Sequence, residues 1–112
     1  MVLSRPIPKA LLPHTVTLKT PRNEGVFSDG EYDDIILYNV RVEQDEKVRQ
    51  SKSGESRVKG ARMYFDCVNS SPADIDFKSA QLIVFCGVTY KIEAVKTVMA
   101  ADKIHHYRID II

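Results

Sequence analysis

The sequence predicts an all-β fold, a small six-stranded β-barrel or sandwich, and three observations carry that prediction. Nearly every structured-looking segment alternates apolar and polar residues with a period of two, the pattern of half-buried strands. No window sets apolar residues at i, i+3, i+4 and i+7 over the length of a helix. With 112 residues, 44% apolar and 28% charged, the chain holds material for one modest core and reads as a single domain, 1–112.

The elements follow in chain order. His14–Lys19 alternates, with Val16 and Leu18 facing one way. Ile36, Tyr38, Val40 and Val42 make the apolar face of a second strand, with Asn39, Arg41 and Glu43 opposite. Ala61–Val68 is the third, in which Met63, Phe65 and Cys67 share a face. Leu82–Phe85 is the fourth. Gly87 then turns the chain, and Val88–Val98 returns as the fifth, with Tyr90 and Ile92 inward. His105–Ile112 is the last, with Tyr107, Ile109 and Ile111 on one side, and it is expected to be a packed element rather than a tail. A short helix fits only around Ser79–Gln81 or Ala100–Lys103. Closing so small a sheet leaves fewer open edges for unwanted pairing.

Charge and composition exclude several classes. A formal net charge of +1 gives no whole-molecule attraction to nucleic acid or anionic lipid. Pro6, Pro8 and Pro13 interrupt the N-terminus, so no secretory leader is expected, and no stretch reaches the ~18 apolar residues of a membrane span. Synthesis in a reducing cytosol makes Cys67 and Cys86 free thiols, expected as small buried hydrophobes.

Constellations for catalysis are missing. No residue pattern places a histidine beside either cysteine, and no Cys-x-x-Cys, His-Glu-x-x-His or acidic calcium loop occurs. His105 and His106 are adjacent, but strand neighbours point to opposite faces, which argues against one shared metal. Asp33–Asp34 and Asp45–Glu46 read as solvated turn acids, and the five glycines are too scattered to cradle a phosphate. No catalytic residue, metal or cofactor is expected. Single-strand nucleic-acid binders interleave basic and aromatic residues. Here the two are segregated, with Tyr38, Phe65, Tyr90 and Tyr107 on core faces and Tyr64 the one exposed platform.

Two connections exceed what a hairpin needs, Thr20–Asp34 and Gln44–Gly60. The second holds the most distinctive segment, a long basic loop between the second and third strands. From Lys47 to Arg62 six basic residues face one acid, Glu55, a local charge of +5 that leaves the remainder near −4. Its candidate contact residues are Lys47, Arg49, Gln50, Lys52, Gly54, Arg57 and Lys59. Two readings stand open: a solvated hairpin tip, or a basic arm directed at an acidic partner or at DNA phosphates.

An ordered set of segments resembles the minor capsid proteins of long-tailed phages and prophages. It comprises Ile7–Val16 (IPKALLPHTV), Leu37–Val42 (LYNVRV), Tyr64–Ser70 (YFDCVNS), Val84–Ile92 (VFCGVTYKI) and His105–Ile109 (HHYRI). The resemblance spans nearly the whole chain. It implies a structural head-tail connector subunit, similar to the stopper proteins that ring the channel beneath portal and adaptor. In those proteins a long loop between the second and third strands points into the channel and helps retain DNA. Gln44–Gly60 occupies the corresponding place. The implied partners are portal and adaptor (head-completion) proteins, a tail-completion protein and further copies in a ring, with a monomer expected in isolation and non-specific DNA contact in the channel. The implied location is the virion, reached through the host cytoplasm, with no membrane contact. The alternative is a small β-barrel nucleic-acid-binding module.

Overall fold

The computed structural model describes residues 5–22, 31–51 and 54–112, and gives only the backbone over 45–51 and 54–59. Among them are six strands: β1 (His14–Pro21), β2 (Tyr32–Ser51), β3 (Gly54–Asp66), β4 (Leu82–Phe85), β5 (Val88–Ala100) and β6 (Lys103–Ile111). A 3-10 turn at Lys9–Leu11 is the one helical element among the described residues. Every pairing is antiparallel, in the order β1-β2-β3-β6-β5-β4, and β4 returns to β1 so that the sheet closes in a ring. All-β architecture with six strands is therefore what the alternation predicted.

The core fills the ring. Val16, Leu18, Leu37, Val40, Val42, Ala61, Met63, Phe65, Ile83, Tyr90, Ile92, Ile109 and Ile111 form one buried cluster. Ile75 and Phe77, from the long connection between β3 and β4, pack on it from one end. There Phe65, Phe77 and Tyr107 meet edge to face, with the Phe65–Phe77 centroids 5.3 Å apart. Gln81 is buried in that connection with its amide satisfied: it donates to Thr20 Oγ1 and the Asp76 carbonyl and accepts from the Lys78 amide.

Bulges change which residues face inward. Between His14↔Val40 and Val16↔Leu37, β1 advances two residues while β2 advances three. Asn39 takes a left-handed φ of 56° there, a conformation that asparagine tolerates well. The extra residue reverses the phase of β2. Leu37 is consequently buried, whereas Ile36 and Tyr38, expected on the core face, are 49% and 50% exposed. Tyr38 instead exchanges backbone hydrogen bonds with Ser71.

Turn chemistry also corrects the helix expectation. Phe85↔Val88 closes over Cys86 and Gly87, both with positive φ (51° and 78°), the geometry of a tight primed hairpin turn. Cys86 is therefore exposed at a turn rather than buried. Ala100↔Lys103 closes over Ala101–Asp102, so 100–103 is a hairpin end, and 79–81 is turn and loop; neither is helical.

Candidate functional site

The long basic connection is present between β2 and β3, but its backbone is paired. Seven further rungs continue the ladder outward from Asp45↔Gly60 to Ser51↔Gly54. Seven rungs span ~23 Å at the usual rise per residue. The expected loop is thus a two-stranded arm. Its departure from the ring follows from the register. The inward rungs Val40↔Phe65 and Val42↔Met63 would be continued by Glu46↔Lys59, Val48↔Arg57 and Gln50↔Glu55, which offer little for a core to bury. β1 stops pairing with β2 at Val40, and β6 stops pairing with β3 at Ala61, so neither flank follows the arm. The radius of gyration, 15.4 Å, exceeds the about 13 Å of a compact chain of this length, as a projecting element requires.

Register places each candidate residue of the arm. Lys47 stands opposite Val58, Arg49 opposite Ser56, Gln50 opposite Glu55, Gly54 opposite Ser51, Arg57 opposite Val48 and Lys59 opposite Glu46. Lys52 lies outside the described residues. The arm's limits also revise its charge. Arg62 belongs to the ring wall, where its Nε lies 3.3 Å from Asp110 Oδ1, and hydrogen bonding to Tyr64 and Asp110 holds its guanidinium further toward the charged form. Asp45 and Glu46 belong to the arm's base. Five cations then face three carboxylates over 45–60, a net charge of +2 with the excess toward the outer rungs.

A second polar cluster escaped the sequence reading. Asp66 is fully buried at the end of β3, with its carboxylate accepting from the Val68 and Asn69 amides at 2.9 and 2.7 Å. It also accepts from the Ile7 amide at 3.0 Å, and Asn69 donates back to the Ile7 carbonyl. The N-terminal segment is thereby strapped to the turn that follows β3. Ser70 Oγ links the same turn to the Asn39 carbonyl. The spacing Asp-x-x-Asn-Ser, an Asx turn in waiting, was the available signal.

The histidine pair differs from expectation. Between Val98↔His106 and Met99↔Ile104, β6 carries one extra residue, His105. That bulge suspends the alternation, and the two Nδ1 atoms lie 2.7 Å apart. His105 Nε2–H donates to the Arg5 carbonyl at 2.6 Å, so in the neutral pair His105 Nδ1 accepts from His106 Nδ1–H. Burial, together with the neighbouring His105, pushes the His106 pKa down, against the opposing pull of Asp66. Among the described residues no three His, Cys, Asp or Glu side chains gather as a metal site. Cys67, expected in the core, is half-buried just past the end of β3, and burial followed by the Asp66 charge pushes its thiol pKa up.

The family model described as "Minor capsid protein" matches residues 8–111, nearly the whole chain. The chain belongs to the minor capsid protein family. Membership gives it a phage structural role and a place in the virion. No curated protein matches it. No helix among the described residues of this minor capsid protein is long and apolar enough to cross a membrane.

Proposed function

We propose that this minor capsid protein is a head-tail connector subunit, stopper-like, whose β2–β3 arm helps close the DNA channel. The observation that carries the reading is the arm itself: a paired, net-basic projection that carries the β2–β3 ladder past both neighbouring strands. Its role is physical rather than chemical. The whole chain acts as one connector domain, and copies assemble as a ring on a portal-adaptor platform, where many weak contacts act together. The opposite end of that assembly presents a surface to a tail-completion protein. In dilute solution the chain is a monomer.

Replacing residues 46–59 with a tight Asn-Gly turn tests this directly. The expected result is a folded protein whose particles package DNA and then leak it. Particles that retain DNA but fail to join tails would move the arm's role to docking a neighbour. Infectious, DNA-retaining particles would remove the functional role of the arm. A nucleic-acid-binding module is the reading to adopt if the isolated full chain binds duplex DNA with a salt dependence worth several phosphates.

A further inference from the structure

One row of residues on the outer wall takes no part in the arm. Register places Arg41 beside Tyr64, Tyr64 beside Arg108 and Arg108 beside Lys96, on β2, β3, β6 and β5 in turn. Their chain neighbours Val40, Val42, Met63, Phe65 and Ile109 are buried, so these four alternate outward. Four adjacent strands make the row about 14 Å long.

The row is electrostatically unfinished. Lys96 and Arg108 are like charges directly opposite each other, an arrangement that destabilises an isolated sheet. Among the described residues neither has a carboxylate within ion-pair distance, and the Nε of Arg108 is buried with no acceptor. A desolvated donor ordinarily finds a partner, because leaving it unpaired costs more than a typical hydrogen bond returns. Neighbouring cations are answered: Arg41 Nε sits 2.9 Å from Glu43 Oε1, and Arg62 sits on Asp110. Two unanswered cations therefore stand beside a half-buried tyrosine ring, next to a balanced row.

We infer that this row is a docking face for a carboxylate-bearing protein segment, with acids meeting Arg108 and Lys96 and an apolar side chain lying over Tyr64. A protein fits better than DNA because the adjacent row, Glu43–Arg62–Asp110, lies two rungs away and sets carboxylates beside the cations, Asp110 being two residues from Arg108 on the same strand. A duplex carries a charge about every 1.7 Å of its axis and would lay phosphates over those acids as well. A protein segment places its acids singly. The face is separate from the arm and stands whether or not the arm closes a channel.

Titration of the isotope-labelled full chain with a short oligoglutamate peptide carrying one tryptophan, followed by amide chemical shifts, tests the face. Saturable shifts at Tyr64, Lys96 and Arg108 are expected, weakening with added salt. The K96Q/R108Q variant should bind about tenfold more weakly with a melting temperature no lower than the parent's, and R108K should restore most of the affinity. A chain with the shortened arm should bind the peptide as the full chain does, which keeps the two proposals separable. Shifts confined to the arm, or no saturable shift, would overturn the inference. Tighter binding of a short DNA duplex to the same four residues would overturn it in favour of nucleic acid.

Discussion

The ring and the arm are built from the same two strands, yet they answer to different physics. Over Val40–Gln44 and Ala61–Phe65, β2 and β3 each have a second neighbour or a buried face, and their inward residues enter the core. Over 45–51 and 54–59 the ladder continues with no second strand paired on either flank among the described residues. A two-stranded hairpin alone is marginally stable in water, so the arm draws its order from the wall that it extends. Backbone pairing can carry a strand outward, but burial decides where folding free energy resides. A projection of this kind can be altered or lost without cost to the body, which suits an element that works on something outside the chain.

The largest effect should come from the body. Met63→Ala empties a fully buried site in the ring portion of β3 and should cost about 3 kcal/mol, read as a lowered urea midpoint with an unchanged slope. Asp66→Asn keeps the shape but weakens an acceptor that holds three backbone amides, and about 2 kcal/mol should be lost. Exchange of the Ile7 amide should quicken in the same variant, and an unchanged rate would show that the strap is held elsewhere. Thiol labelling sharpens the contrast between turn and wall. Cys86 should react quickly in the native protein and Cys67 slowly, since burial and Asp66 disfavour its thiolate.

A smaller effect is expected from acid. The His106 pKa is lowered in the folded chain, so the unfolded chain takes up the proton first. Stability should be intact above the ordinary histidine value and should fall as pH drops through about 6.5 toward the lower folded value. His106→Gln should flatten that part of the curve, and a curve identical to the parent's would break the assignment. Smallest of all is the arm: a lone two-stranded hairpin is marginally stable, so shortening it should leave the urea midpoint close to the parent's. A loss comparable to that of Met63→Ala would mean that the arm belongs to the folded body after all.

Strand existence was legible because each inward residue pairs with its own alternation, as Val16 and Leu18, Tyr90 and Ile92, or Ile109 and Ile111 show. Errors gathered where one residue was inserted. Asn39 moved Tyr38 out and Leu37 in, and His105 brought two imidazoles together that strict alternation keeps apart. A bulge has no period of its own, so nothing in the local pattern announces it. Asp66 was hidden for a different reason: its partners include Ile7, far away in the chain. The arm was visible as a basic, weakly apolar segment, but its pairing was not, since its apolar residues are too few to display a period.

By itself, the sequence determined the all-β class, the six strands, the tight turn at Gly87 and the place of the basic projection. Those features follow from short-range alternation and backbone freedom, which are local properties. Tertiary structure alone decided the closure of β4 onto β1, the phase changes at the bulges, the strap over Asp66 and the outer row from Arg41 to Lys96. Each of these depends on which strand lies beside which, and only the packed core selects that register.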